Sequence, residues 1–248
     1  MQSAIQEVDR AAARISSFNG LAREAVADYV ALSYMALGRL RAAERSLGEI
    51  SDPILRHERL SRVAFARNDA SALRDHLHAM GTMNYRRLAT VMLFARAGLI
   101  PQARKAAGDM NRNSPSGSFE FAQGEIALAR GDVDKAVASL EHAINRGSQV
   151  HPWGFLLGSE SLAAALTKRG DVAHAIRILE TATGKRTPAA FQNAGFLWLR
   201  ARFALAQLYR RSGRESDART VERELSALLA FADLDHPIRR ELDRLKGS

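Results

Sequence analysis

The sequence predicts an all-α protein, a superhelix (solenoid) of about six helical hairpins with a capping helix at each end. Two observations predict this fold. A helix-breaking residue recurs six times, at intervals of 30, 30, 33, 39 and 43 residues, and small or apolar residues recur at fixed distances on both sides of it. A period of about 35 residues is typical of stacked helix pairs. The six turn residues are Gly38, Asn68, Gly98, Gly131, Gly170 and Gly213.

The first helix of each pair ends at the turn residue. Positions eight, seven and four before the turn lie along one stripe of a helix, and most of them are apolar or small. A small residue at the central position allows a second helix to approach closely. We therefore expect this stripe to face the partner helix of the same hairpin. The residues seven positions before the turns are Ala31, Ser61, Val91, Gly124, Ala163 and Ala206.

The second helix of each pair follows the turn and carries its own apolar stripe. Five residues after the turns stand Ala43, Leu73, Ala103, Ala136, Ala175 and Ala218. Four aspartates are placed to cap these helices, namely Asp69, Asp132, Asp171 and Asp217. Pro101 suits the first position of a helix. The 30-residue spacings predict short helices, whereas the spacings of 39 and 43 predict lengthened first helices or inserted loops.

The same periodicity predicts three segments. Residues 1–20 form an N-terminal capping helix, residues 21–231 form the repeat array, and residues 232–248 form a C-terminal capping helix that starts near Pro237. We expect the terminal helices to cover the array, because a helical-repeat array needs polar ends to stay soluble.

The turn-centred pattern resembles the tetratricopeptide repeat, a helix–turn–helix unit of about 34 residues. The segments that carry the resemblance are AQGEIALARGDVDKAVASLEHAI, ESLAAALTKRGDVAHAIRILETA and ALSYMALGRLRAAERSLGEI. The resemblance implies that the first helices line a concave groove. It also implies a non-catalytic scaffold or adaptor that binds a peptide or helix of a partner protein. Some family members grip a peptide carboxylate with a Lys, Asn and Arg clamp, but this chain offers Asp28, Glu58 and Arg62 there, so that clamp is not expected.

The second stripe of the first helices supplies the candidate groove residues. We expect this stripe to hold an extended or helical peptide, with Arg62 and Arg200 contacting carboxylates. The alternative, that curvature of the array buries the stripe inside the fold, stays open at this point. The candidate residues are Met35, Arg62, Phe65, Tyr85, Met92, Phe121, Glu125, Arg200, Phe203 and Gln207.

Composition and motifs argue against several functions. The chain has no cysteine, so disulfides, zinc–thiolate sites and a cysteine nucleophile are excluded. It lacks an HExxH motif, a Gly-rich phosphate loop and a G-x-S-x-G elbow. His76 and His78 are two residues apart and cannot share a metal on one helix. We therefore expect no enzyme activity, no cofactor and no metal.

The sequence also predicts where the protein is found. The N-terminal segment does not have the form of a secretion signal, and no apolar stretch approaches the length of a membrane span. The absence of cysteine fits a reducing compartment. We expect a bacterial cytoplasmic protein that binds no membrane.

Two further functions stay open. The formal net charge is +9, and Arg200, Arg202, Arg210, Arg211 and Arg214 form a run without an acid, which would suit an RNA-binding or other nucleic-acid-binding repeat protein. The stretch from Leu197 to Pro237 resembles the tails of repeat regions attached to bacterial kinases or transcription regulators, which implies a sensory or recruitment module. An exposed end would then promote self-association.

Overall fold

The computed structural model describes residues 2–80, 88–111, 117–145, 152–184 and 188–246. This part of the chain contains fourteen α-helices, one short 3-10 turn (Ile15–Ser17) and no β-strand. The helices are α1 (Gln2–Ala13), α2 (Gly20–Ala36), α3 (Leu40–Leu47), α4 (Pro53–Ala66), α5 (Ala70–Ala79), α6 (Leu88–Arg96), α7 (Ile100–Gly108), α8 (Ser118–Ala129), α9 (Val133–Asn145), α10 (Pro152–Lys168), α11 (Val172–Gly184), α12 (Pro188–Arg211), α13 (Glu215–Leu228) and α14 (Pro237–Lys246). Helices α2 to α13 form the six predicted hairpins, which confirms the predicted fold class.

The helices fall into two compact units. Unit 1 consists of Met1–Gly81, Phe191–Leu199 and Glu222–Ser248. Unit 2 consists of Thr82–Ala190 and Arg200–Val221. The three predicted segments, 1–20, 21–231 and 232–248, were defined by the repeat period, whereas these two units are defined by contacts. The predicted boundaries therefore stay a prediction.

All six predicted turn residues adopt left-handed backbone conformations, which end the first helix of each hairpin. The five glycines have φ between 72° and 90°, and Asn68 has φ 57°. Asparagine tolerates this region better than most side chains, so Asn68 can replace glycine in the second hairpin.

Three of the four predicted aspartate caps are confirmed. Asp69 accepts hydrogen bonds from the backbone amides of Ser71 and Ala72. Asp132 and Asp171 accept from the amides three residues further on. The prediction for Asp217 is wrong, because this residue lies inside α13 and accepts a hydrogen bond from Arg214 at 2.7 Å instead.

The predicted small residues lie where helices meet. All six of the residues seven positions before the turns are buried. A Cβ atom at Gly124 of α8 would stand 2.5 Å from Cγ of Leu140 on α9. The side chain of Leu140 therefore needs the glycine for its place in the hairpin.

Helix lengths follow the turn spacing as expected. Within the two 30-residue intervals α3 has 8 residues, α5 has 10 and α6 has 9, whereas α4 keeps 14. The long spacings correspond to 17 residues in α10 and 24 in α12. The backbone of α12 leaves helical geometry at Ala194, where φ is −144°.

Helix α1 is tied to the first hairpin in unit 1. The hydroxyl of Tyr34 on α2 donates a 2.7 Å hydrogen bond to Asp9, and Arg39 forms a 2.7 Å salt bridge with the same carboxylate. Burial and the hydrogen bond to Asp9 raise the pKa of Tyr34 to about 12. The phenol therefore stays protonated and keeps donating at physiological pH.

The C-terminal segment also packs on the first hairpin, a contact that the sequence analysis did not predict. The backbone amide of Asp233 donates to the carbonyl of Gly38 at 3.1 Å. The Asp233 side chain accepts a 2.8 Å hydrogen bond from the amide of Arg41, in the first turn of α3. Arg39, the N-cap residue of α3, has no side-chain cap of its own. Asp233 thus supplies a helix cap from 192 positions along the chain.

Candidate functional site

The candidate site is a pocket in unit 2 where the first helices of three successive hairpins meet. The pocket has a volume of about 260 Å³. Its lining comes from the C-terminal halves of α6, α8 and α10, close to the turn residues. The lining residues are Ala95, Arg96, Gly98, Glu125, Leu128, Ala129, Glu160 and Ala164.

Small residues supply half of the pocket lining, namely Ala95, Gly98, Ala129 and Ala164. Ala95 is buried, whereas Ala129 and Ala164 are exposed to solvent. Leu128 is half-buried beside them. Because alanine leaves room above the backbone, the floor is apolar and accessible, which suits an apolar side chain of a ligand.

Charged side chains form the wall of the pocket, and they pair with one another. Arg96 donates to Glu125 at 2.8 Å and to the hydroxyl of Ser161 at 2.5 Å. It lies 3.8 Å from Glu160, which forms a 3.0 Å salt bridge with Arg200 of α12. We call Arg96, Glu125, Glu160, Ser161 and Arg200 the ionic ladder.

The contacts of the ionic ladder favour the charged states of Glu160 and Arg96. Burial alone would raise the pKa of Glu160, but Arg200 and Arg96 outweigh it and lower that pKa. Burial likewise opposes the charge of Arg96, whereas Glu125 and Glu160 raise its pKa. The ladder pairs two arginines with two glutamates, so its formal charges balance.

The structure places most apolar candidates from the sequence in the core. Met35 is 1% exposed, Phe65 is 6% exposed, and Met92 and Phe121 are not exposed. A Cβ atom at Gly158 of α10 would stand 2.2 Å from the Phe121 ring, so this ring packs between successive first helices. These placements agree with the alternative that the stripe is internal, and a role of these four side chains in partner binding stays a prediction.

The remaining six candidates do not share one location. Glu125 and Arg200 belong to the ionic ladder. Arg62 forms a 2.6 Å salt bridge with Glu58 of its own helix, in unit 1. Gln207 is exposed and Phe203 is half-buried on α12. Tyr85 lies outside the described residues.

Glu160 lies on the second stripe of its first helix but was not among the ten candidates, whereas Arg96 and Ser161 lie off that stripe. Arg96 lies two residues before its turn, one position away from the stripe that was used to choose candidates. The available signal was an arginine beside the stripe of one first helix, Arg96, and a glutamate on the stripe of the next, Glu125. The sequence alone does not give the distance between helices of different repeats, so it cannot show which arginine and glutamate form a pair.

The basic run at residues 200–214 meets acids in the folded chain. Arg200 pairs with Glu160, and Arg210 lies 3.1 Å from Glu215. Arg214 contacts Asp217 and Glu180, and its guanidinium stacks 4.3 Å from the ring centre of Tyr209. Arg202 donates to Thr183 at 3.4 Å. The run is therefore less positive in space than in sequence.

Neither a clustered metal site nor a membrane span is found in the part of the chain that the structure describes. No three His, Cys, Asp or Glu side chains there are grouped to hold a metal ion. None of the described helices is long and apolar enough to cross a bilayer.

Comparisons with known proteins identify the fold. No protein-family model and no curated protein matches the sequence. A tetratricopeptide repeat protein from Parabacteroides merdae matches with a TM-score of 0.56 and 12% identity, over 99% of this chain and 93% of that chain. PilW, a type IV pilus biogenesis factor, matches with a TM-score of 0.45 and 13% identity, over 88% of this chain and 97% of that one. The Cut9–Hcn1 hetero-tetramer of APC/C gives 0.46 and 15%, over 88% of this chain and 42% of that one.

The first of these matches has the fold of a tetratricopeptide repeat protein, and this chain has the same type of helical-repeat fold. The predicted resemblance is thereby confirmed at the level of the fold. At 12% identity the match concerns architecture and not the ligand.

Proposed function

We propose that the chain is a non-catalytic scaffold that binds an extended segment of a partner protein across the pocket of unit 2. The observation that carries this proposal is a single pocket of about 260 Å³, which the first helices of three successive hairpins line with alanines, Leu128 and paired charged side chains. A pocket of this size accommodates one apolar side chain of the ligand. The repeat spacing of the helices then places neighbouring ligand residues along the same surface.

The ionic ladder supports this proposal by fixing the shape of the pocket wall. Its carboxylates and guanidinium groups are paired before any ligand arrives, so little side-chain ordering remains to be done on binding. Arg96 and Glu160 also present donors and acceptors at the pocket edge for the backbone of an extended ligand. We expect specificity to come mainly from the apolar side chain that fills the pocket.

The test is to fill the pocket with a side chain of the protein itself. Ala164 is exposed at the pocket, so Ala164→Trp occupies the space without removing a core contact. Ala138→Trp on the exposed face of α9 is the matched control, since it adds the same side chain away from the pocket. Short peptides selected on the wild-type chain from a random displayed library are then measured against all three proteins by fluorescence polarisation.

We expect Ala164→Trp to weaken peptide binding at least about tenfold, equivalent to about 1.4 kcal/mol, because one bulky group excludes another. Ala138→Trp should bind as the wild type does. Equal affinity of both variants would place the bound peptide elsewhere and overturn the proposal. Selection of no peptide by the folded wild-type chain would count against an extended protein ligand altogether.

The RNA-binding alternative has less support. Four of the five arginines that suggested it, namely Arg200, Arg202, Arg210 and Arg214, have acidic or hydroxyl neighbours in unit 2. A phosphate would have to displace these neighbours before it could bind. A role as a sensory or recruitment module of a larger regulator is compatible with the scaffold proposal, and the same peptide measurement applies to it.

A further inference from the structure

Two histidines from different helices of the second hairpin face each other in unit 1. His57 lies on α4 and His76 on α5, and both are half-buried. Their Nδ1 atoms are 3.1 Å apart, and the ring centres are 5.4 Å apart with a 40° angle between the ring planes. Neither ring belongs to the pocket of unit 2 or to the ionic ladder.

The distance between the two Nδ1 atoms matches that of two neighbouring ligands on one metal ion. Imidazole nitrogens bind zinc at about 2.0–2.1 Å, and first-row ions in tetrahedral or octahedral geometry set ligand angles between about 90° and 109°. Two such nitrogens stand about 2.8–3.4 Å apart, as follows from those lengths and angles. The observed 3.1 Å lies within this range.

A metal ion can take the place of the hydrogen that lies between the two Nδ1 atoms. Without metal, one Nδ1 must carry a hydrogen and donate it to the other. If both rings adopt the tautomer protonated at Nε2, both Nδ1 lone pairs become available without any change in net charge. Burial and the proximity of His57 lower the pKa of His76, which favours the neutral ring.

We propose that His57 and His76 form a two-imidazole site for a divalent first-row transition metal ion, with water completing the coordination. Imidazole favours copper, nickel and zinc over magnesium and calcium, and the usual order places Cu²⁺ first. With two protein ligands the site is open on its solvent side. The bound ion links α4 to α5, so it stabilises the second hairpin.

The test titrates NiCl₂ into the full chain at pH 7.5 by isothermal calorimetry, and compares three variants. His57→Gln and His76→Gln each remove one ligand, whereas His78→Gln removes an exposed histidine of the same helix as a control. Two ligands on one rigid frame bind about a hundredfold more tightly than one, so each ligand variant should lose about that factor. His78→Gln should keep the wild-type affinity.

A second measurement needs no variant. Substoichiometric CuCl₂ added to the ¹⁵N-labelled wild-type chain should first broaden the backbone amide signals around His57 and His76. Broadening centred instead on another histidine, such as His142 or His174, would overturn the proposal. So would unchanged nickel affinity in both ligand variants, or an equal loss in His78→Gln.

Discussion

At the residue scale, Glu160 keeps its charge in a place where burial opposes it. Its side chain is 15% exposed and lies between Arg200 at 3.0 Å and Arg96 at 3.8 Å. The arginines lower its pKa below the ordinary 4.5 despite burial. Such a group stabilises the fold only while it is ionised.

We expect Glu160→Gln to lower the free energy of unfolding at pH 7 by about 2–4 kcal/mol, because two arginines lose their shared carboxylate. The pKa of the native carboxyl lies below its unfolded value, so its contribution is complete above about pH 4.5 and is lost as the pH falls through the native pKa. The difference between wild type and variant should therefore shrink on acidification. Urea unfolding between pH 7 and pH 3 measures it.

The matched control for this measurement is Glu215→Gln. Glu215 pairs with Arg210 but is 49% exposed, so its removal should cost less than about 1 kcal/mol. A wild-type to Glu160→Gln difference that stays constant from pH 7 to pH 3 would contradict the role assigned to the carboxylate.

At the element scale, the turn between α2 and α3 ends a helix and also contacts the C-terminal segment. A Cβ atom at Gly38 would stand 2.6 Å from Cβ of Ala232 and 2.8 Å from Cδ2 of Leu229. The same glycine has φ 72° and accepts a hydrogen bond from the amide of Asp233. The first turn is thus both a helix end and the binding site of the C-terminal segment.

Gly38→Ala should destabilise the chain more than Gly98→Ala. Both glycines have positive φ, so both alanines are strained by about 1–2 kcal/mol. Only at position 38 does the new methyl group meet other atoms, since nothing lies within 4 Å of a Cβ at Gly98. Thermal unfolding of the two variants measures how much stability each loses, and the extra loss at position 38 is due to the clash with Ala232 and Leu229. Equal losses of stability would show that this clash contributes nothing.

At the scale of the whole molecule, net charge is a poor guide to partners. The chain carries a formal charge of +9, yet three arginines of the basic run of unit 2 (Arg200, Arg210 and Arg214) are paired with Glu160, Glu180, Glu215 and Asp217. Exposed phosphate-binding surfaces need cations that are not already paired.

We therefore expect a fluorescent single-stranded oligouridine to bind with a dissociation constant weaker than about 10⁻⁴ M at physiological salt. Fluorescence anisotropy measures it. A Glu180→Gln/Glu215→Gln variant, which removes acids beside Arg214 and Arg210, should bind more tightly at low salt. Micromolar binding by the wild type with a steep salt dependence would contradict this prediction and support the nucleic-acid-binding alternative.

The sequence predicted the hairpins well because their signals are local. Left-handed turn residues and the small residues seven positions earlier act within one hairpin, so their spacing is visible along the chain. The candidate site was less predictable. Whether Phe121 faces a groove or packs over Gly158 depends on the distance between helices of different repeats. The cap that Asp233 gives to α3 has no periodic signal at all, since its partners are 192 positions apart.

That long-range cap has a consequence for the order of events during synthesis. Repeat arrays hold contacts mainly between neighbours, so their units can fold as they leave the ribosome. Here α3 receives its cap and the turn at Gly38 receives its cover only when the segment around Ala232 and Asp233 emerges. The hairpin of α2 and α3 is consequently completed only after the other five hairpins have been translated, and closing so long a loop slows that step.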